Sequence, residues 1–475
     1  MTTTRGWKVL FITALMITLT ANQTAAEPED GVDSWNRFRG PHGVGVVPGD
    51  ALPTELVLAN LAWKVVAPPG QSSPIVVGEE IVLTGTDQDT FTIVSYDARS
   101  GREQWRHTVE RKRHTEIYKD NDAASPTPAT DGDVIYAYFP DFGLVAVSAN
   151  GEEVWRYPMA AFRNHYGMAS SPVLAEGLVL LLLDNQDQSL VLAVDRETGE
   201  KRWSSKRDRE ASWTTPLVLS SPSGQVLLTS GALWLDAYDA ATGQELWSWF
   251  GVGGDALASP VYHDGTLYVL QGGAFSVPTY DSLLSLDQDG DGALSEHELS
   301  VNESLGPHAG GFDQDGDGLI AREEWDGFLE NNSTGTHGLV AVDLPDPSKR
   351  PVGVRWRHEM GGAIVPSPAV VGDQVFVVRN GGIVASFDRQ SGELLRRERL
   401  PDAKGRYFAS PVGDEGKLYF ASNEGKVSVV TTDADWSVLA TSDLGSETSS
   451  TPAIRGSHVF VRTHDALMAF RTEPS

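Results

Sequence analysis

Apolar positions along this chain come in short runs. Thr266 to Leu270, Lys417 to Ala421 and Leu190 to Val194 are of strand length, and turn residues rich in Gly, Asp, Thr and Pro separate such runs. They follow a fixed grammar. In residues 193–216, AVDRETGEKRWSSKRDREASWTTP, a strand ends in Asp195, a tight turn follows at Thr198-Gly199, a second strand carries Trp203, and a loop leads to Thr215-Pro216. The same order recurs with Asp97, Ser100-Gly101 and Trp105, with Asn150-Gly151 and Trp155, and with Asp239, Thr242-Gly243 and Trp247. It recurs once more with Asp388 and Ser391-Gly392, where Arg396 stands in place of tryptophan. An antiparallel pair needs a turn residue at positive φ, which glycine supplies, while a flanking Asp or Thr bonds the turn amides. The tryptophan buries on the order of 200 Å² against a neighbouring sheet. One such sheet cannot cover both of its faces, so a period of about 40 to 50 residues implies stacked copies.

Each copy opens on a Ser/Thr-Pro dipeptide: Ser73-Pro74, Ser125-Pro126, Ser171-Pro172, Thr215-Pro216, Ser259-Pro260, Ser367-Pro368, Ser410-Pro411 and Thr451-Pro452. The intervals are 52, 46, 44, 44, 108, 43 and 41 residues, and the long one returns to the norm once an insertion is removed. Three apolar strands and the tryptophan strand follow each dipeptide, which predicts an all-β, eight-bladed β-propeller of four-stranded antiparallel blades. The eighth copy ends without a tryptophan strand. A spare strand at Leu61 to Val66, containing Trp63, is expected to complete it and close the ring. The alternative, an open solenoid, leaves both sheet edges unpaired.

The insertion, residues 274–336, falls between the second and third strands of blade five and changes composition abruptly. It contains DQDGDGALSEHE from Asp287 to Glu298 and DQDGDGLIAREE from Asp313 to Glu324. Both place carboxylates at positions 1, 3 and 5, glycine at 6 and glutamate at 12, the pattern of an EF-hand loop, because Ca²⁺ takes six to eight hard oxygens. The expected ligands are Asp287, Asp289, Asp291, the Ala293 carbonyl, Ser295 through water and Glu298. In the second loop they are Asp313, Asp315, Asp317, the Leu319 carbonyl and Glu324. Two acidic turns of no metal function are the bland alternative. Against it stand two full matches 26 residues apart, and fourteen acids against one base between Asp281 and Glu330, which repel one another without cations. A small helical EF-hand pair holding two Ca²⁺ is therefore expected. No methionine lies there to line an adaptable groove.

Charge and composition narrow the partners. The 475-residue chain has formal charge -28 and no cysteine, which disfavours nucleic acid and excludes both a disulfide framework and a lipid-bearing N-terminal cysteine. The basic run from Arg111 to His114 reads as a solvated loop, and His297 and His358 as ordinary surface residues. Residues 1–26 read as a secretory signal: Arg5 and Lys8, an apolar run from Val9 to Leu19, then Thr24-Ala25-Ala26. That run is too short to span a membrane. Residues 27–60 form an irregular N-terminal segment and 61–273 with 337–475 the propeller. The expected location is periplasmic or secreted.

The motifs DRETGEKRW and DAATGQELW, with WNRFRGP, ASPTPATDG and ASWTTP, resemble the pyrroloquinoline-quinone (PQQ) repeat of secreted PQQ-like β-propeller proteins. The resemblance covers most of residues 61 to 475 outside the insertion and implies fold more than function. Quinoprotein alcohol and glucose dehydrogenases carry PQQ and Ca²⁺; their alcohol-dehydrogenase branch has an adjacent cysteine pair, absent here, and PQQ is not expected. Assembly proteins of the BamB type have an eight-bladed propeller and bind protein partners, although this chain lacks their lipid-bearing cysteine.

The loops before each Ser/Thr-Pro converge on one end of the central channel. The candidates for a ligand there are His165, Tyr166, Arg209, Trp213, Asp255, Arg406 and Tyr407, unless these simply plug the channel. The expected function is a binding or protein-interaction module for an envelope or extracellular protein or another ligand. The alternative is a PQQ-dependent quinoprotein oxidoreductase, for which spacing identifies no catalytic residue.

Overall fold

The computed structural model describes residues 1–2, 35–49, 51–115, 117–164, 166–254, 256–272, 278–302, 305, 309, 312–313, 317–326, 338–360 and 364–472. The expected secretory signal lies almost wholly outside these residues. Eight four-stranded antiparallel blades follow one another in chain order. Blade one comprises Ile75–Val77, Glu80–Thr86, Thr90–Asp97 and Glu103–Glu110. In each blade the second and third strands are buried almost throughout, as in Leu178–Leu183 of blade three, because both of their faces are covered. The fourth strand alternates exposed and half-buried positions, as in Lys201–Lys206, because it lies at the rim.

The ring closes through the N-terminal strand. Leu61–Val66 pairs antiparallel with Ala466–Arg471, setting Trp63 opposite Ala469 and giving blade eight its fourth strand. A second ring of hydrogen bonds runs around the inner strands. The backbone N–H of each opening Ser or Thr donates to the hydroxyl of its counterpart on the next blade. Ser73 donates to Thr127 (3.0 Å), Thr127 to Ser171 (3.0 Å), Ser171 to Thr215 (3.1 Å) and Thr215 to Ser259 (2.8 Å). Ser259 donates to Ser367 (3.0 Å), Ser367 to Ser410 (3.0 Å), Ser410 to Thr451 (3.0 Å) and Thr451 back to Ser73 (3.1 Å). In blade two the ring member is therefore Thr127, followed by Pro128. The Ser125-Pro126 register read from the sequence is two residues early, because SPTP offers two overlapping copies of the dipeptide.

The tryptophans act between blades. Trp63, Trp155, Trp247 and Trp356 donate from Nε1 to the carbonyls of Ala98, Arg196, Pro347 and Arg389 on the following blade, at 2.8–3.0 Å. Each turn glycine underlies the tryptophan of the blade before it. A methyl group on Gly101, Gly199 or Gly392 would sit 2.5–2.7 Å from the ring of Trp63, Trp155 or Trp356. Positive φ and close approach thus both require glycine there. Arg396 takes the tryptophan's part between blades six and seven: it donates to the Asp435 carbonyl at 3.3 Å and lies over the Trp436 ring at 5.1 Å.

The segment 35–49, expected only to be irregular, runs along the inner strands of several blades and so fills the channel. Its carbonyls at Trp35 and Asn36 accept from Val76 of blade one and Thr130 of blade two, Arg39 donates to the Pro368 carbonyl of blade six, and Val46–Val47 pairs parallel with the inner strand of blade seven. Trp35 and Arg39 are 1% and 0% exposed.

The insertion leaves blade five between Thr266–Gln271 and Gly338–Asp343, as expected. Among its described residues helix is found at Tyr280–Leu283, continued by a 3-10 turn at Leu284–Leu286, at Glu296–Leu299 and over 322–326, and these do not show the expected helical EF-hand pair.

Ser367→Ala leaves the Ser259 N–H without its acceptor and is expected to cost about 1–3 kcal/mol. Trp63→Ala removes the closing indole and is expected to cost about 3–5 kcal/mol. Urea unfolding checks both, and an unshifted midpoint for Trp63→Ala would show that closure does not depend on this side chain.

Candidate functional site

Two places concentrate chemistry: the inserted acidic loops, and a cavity of about 460 Å³ at the channel mouth. In the first loop the carboxylates turn inward. Asp287 accepts from the backbone of Gly290 at 2.7 Å and of Gly292 at 3.1 Å, while Asp291 accepts from Ala293 at 2.8 Å. Oxygens of Asp287, Asp289 and Asp291 lie within 4.8 Å of one another. Glu298 reaches back to the backbone of Gln288 (2.7 Å) and of Ser295 (2.9 Å), and to the Ser295 hydroxyl (2.8 Å). Those bonds, from Ser295 and Gln288 first, hold its carboxyl down at about 2.

The second loop repeats the offsets: Asp313 accepts from Gly318 at 2.8 Å, Asp317 from Leu319 at 2.8 Å and Glu324 from Ala321 at 2.8 Å. Asp315 lies outside the described residues. Gly292 and Gly318 have φ of 87° and 88°, which makes the same sharp turn in each loop. Leu294-Ser295 and Leu319-Ile320 pair as a short antiparallel ladder, with Leu294 opposite Ile320, and this joins the two loops. Tyr280, which the sequence did not single out, ties them further by donating to the carbonyls of Gly292 (3.1 Å) and Ile320 (2.9 Å).

An aromatic ladder anchors the insertion. Trp234 and Phe250 of blade four, then Phe312 and Trp325 of the insertion, contact successively at 4.7, 5.2 and 4.9 Å between ring centroids. Trp234 begins the third strand of blade four and Phe250 ends the fourth, so the insertion sits on the same end of the propeller as the loops entering the ring.

At the mouth, all eight ring hydroxyls and Phe38 of the channel segment line the cavity. Tyr118, Tyr166 and Trp213 form one wall, meeting edge to face at 5.5 and 5.2 Å, and Tyr118 and Tyr166 remain 39% and 43% exposed. Arg406 stacks on Phe408 at 5.0 Å and pairs with Asp120, 286 residues away. The Arg406 hydrogen bond holds the Asp120 carboxyl below the usual range. Among the residues proposed from sequence, Tyr166, Trp213 and Arg406 thus meet at this cavity, while His165 and Asp255 lie outside the described residues. Tyr407 is a correction. It is 0% exposed and packs into the core, because alternate positions of its segment face inward, and its neighbours Arg406 and Phe408 line the cavity instead. Arg209 also turns away, to pair with Asp236 at 2.6 Å and lie over Trp234 at 4.3 Å. Phe38, Tyr118 and Asp120 carried no sequence signal, since they come from segments far apart.

Behind that wall lies a buried ionic network. Arg207 contacts Asp184 at 2.7 Å and Asp236 at 3.2 Å, all three side chains being fully buried, and Tyr238 and Thr229 take its remaining donor. Burial alone would raise the Asp236 carboxyl, but Arg207 and Arg209 hold it below the ordinary value.

The family of the outer membrane protein assembly factor BamB matches residues 59–186, 186–298 and 348–474. The chain belongs to that family. The crystal structure of BamB from Moraxella catarrhalis superposes with TM-score 0.56 at 13% identity, over 87% of this chain and 99% of that one. The quinohemoprotein alcohol dehydrogenase ADHIIG of Pseudomonas putida superposes with TM-score 0.53 at 12% identity, over 94% and 82%. In sequence that dehydrogenase is 27% identical over 188 residues, 34% of this chain, and the chain spans only 26% of its length. These likenesses establish the propeller fold within a BamB-type family.

Asp236→Asn leaves the buried guanidinium of Arg207 and the half-buried one of Arg209 under-compensated and is expected to destabilise by about 3–5 kcal/mol at neutral pH. Because the native Asp236 pKa is depressed, its contribution is present above the unfolded value of about 3.9 and is lost as pH falls through the native value. The gap between parent and variant unfolding should therefore narrow below about pH 4, as measured by denaturation at a series of pH values.

Proposed function

We propose that the protein is a calcium-binding, envelope-targeted β-propeller acting as a binding or protein-interaction module. Residues 1–26 serve as its secretory signal and 27–60 as its irregular N-terminal segment. Residues 61–273 and 337–475 are the propeller and 274–336 an EF-hand pair, and the mature protein works in the periplasm or outside the cell. The observation that carries the calcium reading is the matched inward folding of two acidic loops joined through Leu294 and Ile320. Three carboxylates within 4.8 Å repel strongly unless a cation lies among them. The first ion would be held by Asp287, Asp289, Asp291, the Ala293 carbonyl, Glu298 and a water on Ser295. The second would be held by Asp313, Asp315, Asp317, the Leu319 carbonyl and Glu324. The short helices and the pairing with blade four favour permanently filled, structural sites over an opening switch. The interaction role draws support from the family, whose namesake is an outer membrane assembly factor.

A PQQ-dependent oxidoreductase is the second reading, favoured by the likeness to a quinohemoprotein alcohol dehydrogenase. The mouth does not fit that cofactor. Its several carboxylates need cations, whereas the described lining offers only Arg406, already paired with Asp120, above a floor made by Phe38.

Glu298→Gln combined with Glu324→Gln should abolish tight Ca²⁺ binding while the propeller stays folded. Calorimetry reads the stoichiometry, and two ions bound to the double variant would refute the assignment. Capture of an envelope protein without dye reduction by PQQ and alcohols supports the interaction module, and turnover with PQQ supports the oxidoreductase.

A further inference from the structure

The cavity at the channel mouth has Phe38 at its floor, a ring of hydroxyl-bearing residues around that floor and aromatic side chains on one wall. Each of the eight ring hydroxyls accepts one backbone N–H, and among the described residues none donates to a protein group. The residues that bear these eight hydroxyls therefore line one space, with Phe38 of the channel segment among them. Beside them stand the side-chain amides of Asn121 and Asn380, and Tyr118, Tyr166 and Trp213 form the wall. From this geometry we infer that the cavity is a binding site for a neutral saccharide of one or two rings.

The inference rests on the reading of the propeller as a binding module and adds the class of its ligand. A pyranose presents C–H faces that stack on aromatic rings and a belt of hydroxyls that both donate and accept. The aromatic wall and the ring of hydroxyls ask for those two surfaces at once. An apolar or aromatic side chain from a protein partner would cover the wall but leave the ring hydroxyls without acceptors, which is costly. An anion would find acceptor-seeking hydroxyls, yet it would meet a chain of formal charge -28 and a cation, Arg406, already neutralised by Asp120. The volume of about 460 Å³ lies in the range of small-molecule sites.

The test uses the full chain and the disaccharides maltose, cellobiose and chitobiose, with citrate as an anionic probe, by calorimetry and saturation-transfer NMR. At least one sugar should bind saturably, with or without EDTA. Binding should weaken by about tenfold in the Tyr118→Ala, Tyr166→Ala double variant, whose unfolding midpoint is checked against the parent. Three results overturn the inference: no saturable signal from any of the three sugars, equal affinity in the folded double variant, or binding of citrate alone. Each leaves the Ca²⁺ stoichiometry and the partner capture to stand or fall separately.

Discussion

Eight backbone N–H groups, each directed at a hydroxyl on the next blade, hold the innermost turn of this protein together. The proline after each of these residues has no N–H and fixes its own φ, so the chain enters every blade in the same conformation. The donor just before it is buried near the axis and must find a partner. Only a short side chain bearing an acceptor can reach it there, which is why Ser or Thr stands at all eight positions. The circuit closes between Thr451 and Ser73, 378 residues apart, at 3.1 Å, indistinguishable from its neighbours. That match defines the number of blades.

The outer circuit works on a different principle and tolerates substitution. Tryptophans on one blade cover glycine turns on the next, and Trp63, Trp155 and Trp356 also donate to a carbonyl beside that turn. Arg396 keeps the donor and the flat surface while giving up the indole, so a planar group with an N–H is what the position demands. The turn aspartates serve the same joints: Asp195 and Asp388 accept from the N–H groups of Thr198 and Ser391 at 2.9 and 2.7 Å. The resulting scaffold is stiff at the axis and at the rim, and both exposed mouths are free for loops.

The candidate sites lie where this scaffold is least regular. The insertion is attached to blade five by the chain but to blade four by its rings, and so it stands on the same end as the aromatic cavity. The channel segment contributes Phe38 to that cavity. The buried cluster around Arg207 lies directly behind it and fixes Arg209 away from it. The calcium and ligand readings thus share one face of one rigid body while resting on separate residues.

Spacing alone was enough for the blade count, the closing strand at Trp63, the site of the insertion and the twelve-residue acidic loops, because each depends on residues close in the chain or on a strict period. The same reasoning slipped by two residues at Thr127, where two dipeptides overlap, and placed Tyr407 at a surface that only its neighbours reach. It overlooked Phe38 in the channel, Tyr280 between the acidic loops and the Asp120–Arg406 pair across the mouth. These side chains meet only when the ring has closed. Their partners come from other blades, and a local pattern of apolar and polar residues carries no record of which distant loop will face it. The sequence by itself determined the repeating unit and the acidic loops. The tertiary structure decided which side chains share the central space, because that depends on the curvature accumulated over eight blades.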